Sequence, residues 1–323
     1  MDPLLRHLGN RQLSMAALKF RLLDAAESLP ASLRRGLDKT VWPFAWSHMR
    51  AMARGTRFRI MGDGTWEIGR SGFLVRSKTF AGLVGKISRP VSIVASGPSA
   101  RDHPWENLRD GRRFVIAVNG APSLLSESGI RPDLLVVTDS EFISSGCHHL
   151  ARAAGVPLVI TCRAASRLAS LAPGDLRQRD YGIIERVNAW YGVPAVPLTE
   201  LADLNARSGS PFHLPAADPH QFKVGWSDSP DRGIFAGGTV VFAALQIAVG
   251  LGAADIEIIG MDLGGSSRAY AEEAGAPPSF LAAQYAGTIR PSFEIMNRAL
   301  RGTRLKVHNR SPVCPLPPEI FEF

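Results

Sequence analysis

Five runs of apolar β-formers, the first three ending in small or polar residues, constrain this chain more than any other feature. They are VSIVAS (91–96), FVIAVNG (114–120), LLVVTDS (134–140), PLVITC (157–162) and IEIIGMDL (256–263). Near-continuous apolar runs of this length mark strands covered on both faces rather than half-exposed ones. Helical patterns lie between them: a short helix ending near Gly129, another after Thr138-Asp139-Ser140-Glu141, and longer ones over 238–251 and about 279–300. RLKVHN (304–309) adds a last strand. Strands alternating with helices imply an α/β fold built on a mostly parallel sheet with right-handed crossovers.

The charge is unevenly placed. Residues 1–90 hold 16 Lys and Arg against 6 Asp and Glu, while the remaining 233 residues hold 21 against 23. The excess positive charge of a chain with net charge +8 therefore sits in its first 90 residues. Leu4, Leu5, Leu8, Met15, Leu18, Leu22 and Leu23 recur there at helical spacing. Trp42, Phe44 and Trp46 stand near Arg34, Arg35, Lys39 and Arg50. A basic amphipathic segment with tryptophans suits a membrane interface, and equally suits aromatics packed on the main domain. Residues 57–76 read as short strands, with GDG turning between FRIM and TWEIG. The expected organisation is two units, a basic extension over 1–90 and an α/β domain over 91–323, with a polar, lid-like segment at 203–233.

The uncharged stretch 233–254 has the length of a bilayer span. It is interrupted by glycines, a Thr and a Gln and runs directly into a strand, so a helix packed on the sheet is the better reading. No signal peptide is expected. Cys147, Cys162 and Cys314, three cysteines without CxxC spacing, point to a reducing compartment and away from zinc. Nucleic acid is not an expected partner, because the basic residues carry no recognised binding motif.

In an open parallel sheet, ligands bind beyond the carboxyl ends of the strands. The residues at those ends are the candidates here. Gly97, Pro98 and Ser99 follow the first strand, Asn119 and Gly120 the second, and Thr138, Asp139, Ser140 and Glu141 the third. Small residues let backbone N–H groups approach a ligand, and a following helix N-terminus favours phosphate. Gly237, Gly238 and Thr239 open the 238–251 helix in the same way. Asp262 ends a strand, with Arg268, Tyr270 and Glu272 beyond it; arginine can clamp a phosphate or carboxylate, and a tyrosine hydroxyl can donate to a leaving oxygen. Asp139 and Asp262 can equally be turn or helix caps. Neither a GxGxxG nor a GxxxxGK[ST] phosphate loop is present, nor a DxD motif, and no metal is expected. His148 and His149 read as surface residues, since no third metal-binding side chain stands at useful spacing.

SGPSARDHPWENLR, FVIAVNGAPSLLSESGIRPDLLVVTDSEFI, GGTVVFAALQIAVGLGAADIEIIGMDLGGSSRAYAEE and the closing HNRSPV together resemble the lipopolysaccharide-core Kdo transferases that add a third Kdo. More distantly the pattern is similar to bacterial CMP-sialic acid transferases. The resemblance covers roughly residues 91–315, and implies a Rossmann-like, GT-A-like single nucleotide-binding domain and a CMP-activated 2-keto-3-deoxy sugar acid as donor. It implies that Gly97, Pro98, Ser99, Asn119 and Gly120 hold cytidine and phosphate, and that Gly238 and Thr239 contact CMP or the sugar carboxylate. Tyr270 would stand near the leaving phosphate; Arg268 and Glu272 match the Kdo-transferase pattern, and Asn309 and Ser311 lie in the closing motif. The sialyltransferases carry a histidine base before the last helix, where this chain reads TIRPSFEIMN. The base must then differ, or deprotonation be assisted another way; Asp139 is the candidate base, with Glu141 or Glu272 as rival. No cofactor beyond the CMP-sugar substrate is expected. The expected acceptor is a lipopolysaccharide core at the cytoplasmic face of the inner membrane, which the basic first 90 residues would dock. Three other readings remain open: a nonulosonic acid transferase acting on another glycan or protein, a pterin-type diphosphokinase using ATP, and a non-enzymatic nucleotide-binding, membrane-associated protein.

Overall fold

The computed structural model describes residues 48–49, 52, 55–70, 72–192, 194–196, 200, 211–215, 223–264, 268–270 and 279–323. The amphipathic helical pattern and the Trp42–Trp46 cluster expected before residue 48 lie outside the described residues.

The described chain opens with three strands, β1 (Arg57–Ile60), β2 (Trp66–Arg70) and β3 (Phe73–Arg76), and a short helix α1 (Phe80–Val84). Then follow β4 (Val91–Val94), α2 (Glu106–Arg109), β5 (Phe114–Val118), α3 (Ala121–Glu127), β6 (Leu134–Val137) and α4 (Ser140–Ala151). After these come β7 (Leu158–Ile160), α5 (Cys162–Leu171), α6 (Pro173–Arg177) and β8 (Tyr181–Ile183). Next are the small pair β9 (Phe212–His213) and β10 (Trp226–Ser227), α7 (Val240–Gly250) and β11 (Asp255–Ile259). A continuous helical stretch closes the fold as α8 (Leu281–Gln284), a π turn (Tyr285–Ile289) and α9 (Arg290–Leu300), before β12 (Lys306–Asn309).

Seven strands form one sheet in the order β12-β11-β4-β5-β6-β7-β8, and every pairing in it is parallel. The α/β expectation holds. From β4 the chain builds outward to β8, then returns to place β11 and β12 on the opposite side of β4. The direction of building therefore reverses between β4 and β11, and the crevice beyond their carboxyl ends is where such sheets take ligands. The runs at 91–96, 114–120 and 134–140 each leave the ladder early, so their last residues become loop at that edge. β8 and the β9–β10 pair are too short to produce a run visible in the sequence.

Side chains alternate between two cores. Val91, Ile93, Phe114, Ile116, Val118, Leu134 and Val136 face one cluster, together with α7 and α9. Val94, Val115, Ala117, Leu135, Val137 and Ile259 face the other, together with α3, α4 and α5. Both faces are covered, as parallel sheets require. Helix α7 is buried almost all round, which explains why residues 233–254 carry no charge. Burying a side chain such as Phe242 contributes about 1.5–3 kcal/mol. Gln246, fully buried on α7, is satisfied by neighbouring backbone: its Oε1 accepts from Ser227 N at 3.2 Å and Phe235 N at 3.0 Å, and its Nε2 donates to Phe235 O at 2.8 Å. No helix among the described residues is long and apolar enough to cross a membrane.

β1, β2 and β3 form a separate antiparallel sheet with the expected turn between β1 and β2. Phe58, Trp66 and Ile68 from it share the second core, and Lys78 N donates to Tyr181 O at 2.8 Å. The described part of the 203–233 segment also packs inward: Phe212, Val224 and Trp226 belong to the first core.

Candidate functional site

A cleft of about 780 Å3 opens at the carboxyl edge of the sheet. The ends of β4, β5, β6 and β11 form its floor, and residues of α4, the start of α7 and the Ser279–Gln284 segment form its walls. This is the crevice that the strand order places between β4 and β11.

Two loops meet at its base. Gly97 N donates to Gly260 O at 3.0 Å. A Cβ at Gly97 would stand 2.3 Å from Gly260 O and 2.6 Å from Asp262 Oδ2, so only glycine lets these loops touch. Asp262, 5% exposed, knots them: it accepts from Ser99 N at 2.9 Å and from the hydroxyls of Ser99 and Ser311. Two residues here hold left-handed backbone without being glycine, Asn119 at φ 47° and Leu263 at φ 55°. Such strain concentrates at ligand sites. Asn119 Oδ1 is buried without a hydrogen-bond partner.

Helix starts supply the donors. Asp139 is the N-cap of α4, its Oδ1 accepting from Glu141 N at 2.9 Å. Thr161 caps α5 and donates to Thr138 O at 3.2 Å, tying the ends of β6 and β7 together. Thr239 caps α7, after Gly237 at φ 57° and Gly238 at φ 75°. A Cβ at Gly238 would lie 2.7 Å from Ile289 Cγ1, so the π turn packs directly on this cap. π turns of this kind recur at functional sites.

The wall opposite carries the aromatic groups. A Cβ on Gly120 would stand 2.4 Å from the Tyr270 hydroxyl, so the Tyr270 ring rests on the Gly120 backbone. The His149 ring lies 4.4 Å from that of Tyr270 and 4.0 Å from that of His148. Its Nδ1 is 2.7 Å from Ser123 Oγ on α3. Burial, then the neighbouring His148 and Arg152, push the His149 imidazole down to about 4, so it is neutral near pH 7. Gly146 makes this arrangement possible. It breaks α4 with φ −128°, and a Cβ there would come within 2.7 Å of Phe142 and 3.1 Å of His149.

The cleft brings together Gly97, Pro98, Asn119, Thr138, Asp139, Glu141, Gly238, Thr239, Asp262, Arg268 and Tyr270. Asp139 is exposed on its rim, and Glu141 pairs with Arg163 at 3.2 Å. Ser99, Gly120, Ser140, Gly237, Asn309 and Ser311 stand behind the lining. Of these, Ser99 and Ser311 brace Asp262, and Asn309 Oδ1 accepts from Ser311 N at 3.2 Å. Glu272 lies outside the described residues. The surface placement expected of the histidines fails for His149, which is 7% exposed and lines the cleft. The glycine at the third position of SSGCHHL was the available signal, because it breaks the helix three residues before His149. Lys223, Phe280 and Gln284 also line the cleft, and no local motif marks them.

No family model and no curated protein matches the chain. Among solved structures it is similar to the MAf glycosyltransferase from Magnetospirillum magneticum AMB-1, at 14% identity with a TM-score of 0.39. The match covers 74% of this chain but only 37% of the length of that one. What the cleft does follows from its own side chains.

Proposed function

We propose that the cleft binds a CMP-activated 2-keto-3-deoxy sugar acid, Kdo or a relative, and transfers the sugar to a hydroxyl of an inner-core lipopolysaccharide acceptor. The observation that carries this reading is the convergence at one crevice of backbone-exposing glycines, the cap of α7, Arg268 and Tyr270. Arg268, Tyr270 and the start of α7 line this one space, and a phosphate leaving group needs donors where its charge develops. Arg268 matches the planar, bidentate demand of a phosphate or carboxylate.

In the transfer, the acceptor oxygen bonds to the anomeric carbon as the bond from that carbon to the phosphate oxygen breaks. The electron pair leaves with CMP, and Asp139 takes the acceptor proton. Asp139 is suited to this because one carboxylate oxygen is fixed by Glu141 N while the side chain stays exposed on the rim. The basic first 90 residues would hold the enzyme to the anionic cytoplasmic surface of the membrane, each Lys or Arg near it adding about 1 kcal/mol.

Thermal stabilisation by CMP, CDP, UMP, GDP, ATP and ATP-magnesium, measured side by side, tests the donor class, since a ligand of the native state raises its apparent stability. Selective stabilisation by CMP is expected. Stabilisation by ATP-magnesium alone overturns the reading in favour of a diphosphokinase. With donor and acceptor supplied, Asp139→Asn is expected to lower turnover by about 100-fold or more while CMP still binds; near-normal turnover removes Asp139 from the role.

A further inference from the structure

The cleft wall formed by α4 presents an imidazole that the proposed transfer does not use. His149 is 7% exposed, lines the cleft, and is held at Nδ1 by Ser123 Oγ at 2.7 Å. Nε2 is the ring's remaining polar atom. From the loop beyond β11, Tyr270 packs on the ring at 4.4 Å; on its own helix, Phe142 stacks at 6.0 Å and His148 lies at 4.0 Å. The charges felt by the ring come from His148 and Arg152. Arg268, Lys223, Asp139, Glu141 and Asp262 are the other charged groups on the cleft wall.

We propose that His149 takes up a proton when a phosphate group enters the cleft, and that the resulting imidazolium, fixed by Ser123, is one of the phosphate's contacts. The inference rests on the cleft being the phosphate site proposed above. Burial, then His148 and Arg152, keep the ring neutral near pH 7. A phosphate beside the ring supplies an opposite charge at the position where His148 and Arg152 act against protonation. An opposite charge within about 4–6 Å favours the charged form by roughly 1–3 pKa units. Ser123 can accept from Nδ1–H as readily as donate to Nδ1, so the hydrogen bond survives protonation and the ring need not move. Filling the site then adds one positive charge at the wall facing the phosphate. A phosphate-free nucleoside cannot produce that change.

Calorimetric titration in buffers of different ionisation enthalpy, at about pH 6, reads the proton directly. The probe is cytidine 5′-methylphosphate, a diester with no proton of its own to exchange near neutrality, with cytidine as the control. The diester is expected to bind with uptake of roughly 0.1–0.9 proton, the span that a rise of about 1–3 pKa units from about 4 gives at that pH, and cytidine with none. In His149→Gln the uptake is expected to vanish while the diester still binds, several-fold more weakly. Imidazole NMR signals of the unsubstituted protein, recorded with and without the diester, give a second reading that needs no variant. Binding without uptake, or uptake unchanged in His149→Gln, overturns this inference and leaves the transferase reading standing. Absence of binding by both the diester and CMP overturns the two together.

Discussion

Replacing Asp262 by Asn tests whether this carboxylate is the knot that shapes the cleft floor rather than a ligand group. The side chain is 5% exposed and accepts from three donors on two loops: Ser99 N at 2.9 Å, Ser99 Oγ and Ser311 Oγ. An amide of the same shape keeps one acceptor oxygen, which can face the two hydroxyls. Its NH2 group then confronts Ser99 N–H, donor against donor. The variant loses one charge-assisted hydrogen bond and leaves a buried N–H unpaired, a combined cost of about 2–4 kcal/mol. For a domain of this size that is a fall in Tm on the order of 5–10 °C. Urea denaturation of the parent, Asp262→Asn, Ser311→Ala and the double variant measures it. Ser311→Ala alone is expected to cost about 1 kcal/mol, and the two changes to be non-additive because they share a hydrogen bond. CMP affinity should fall as well, since Gly97 and Pro98 sit on the loop that Asp262 secures. If Asp262→Asn stays within about 0.5 kcal/mol of the parent, the knot is not what holds these loops. A large loss of CMP binding at unchanged stability would make Asp262 a direct ligand instead.

Glu185 carries a pH signature, because burial pushes its carboxyl up to about 7 while it accepts from Cys162 N at 2.7 Å. An unfolded glutamate titrates near about 4.3, so between there and 7 the folded state keeps a proton that the unfolded state has lost. Stability is expected to fall as pH rises through that window and to level off above it. Glu185→Gln should remove this slope and gain up to roughly 4 kcal/mol above pH 7, read by urea denaturation at several pH values; an unchanged slope refutes the assignment. His149 contributes with the opposite sign, its lowered pKa giving stability that is lost as pH falls from about 6.5 towards 4. Gly120→Ala places a methyl 2.4 Å from the Tyr270 hydroxyl and should displace that ring, lowering donor turnover at least 10-fold while Tm changes by only a few degrees. Normal turnover in that variant would show that the position of Tyr270 does not matter.

Much of the architecture is written in local pattern. Apolar runs such as FVIAV and LLVV are legible because both faces of a parallel strand are buried, leaving no alternation to hide them. Their terminal residues, Gly97, Asn119, Thr138 and Asp139, are legible as cleft residues because ligands meet parallel sheets at that edge. The helix cap on Asp139 was equally readable from its place before SEFI. Position in three dimensions decided the rest. Ser99 and Ser311 are 212 residues apart and join Asp262 in one network only once β11 lies beside β4. His149 reads as a surface residue in HHLA until the Gly146 kink and the packing of α4 on α3 turn it towards Ser123. By itself the sequence determined the α/β class, the longer buried strands and helices, and the edge where chemistry belongs, because apolar burial leaves its pattern over a few residues at a time. Which side chains meet at that edge, and whether each is a brace, a cap or a free acceptor, was decided only by tertiary structure. Those properties depend on neighbours from distant segments and on the burial they impose.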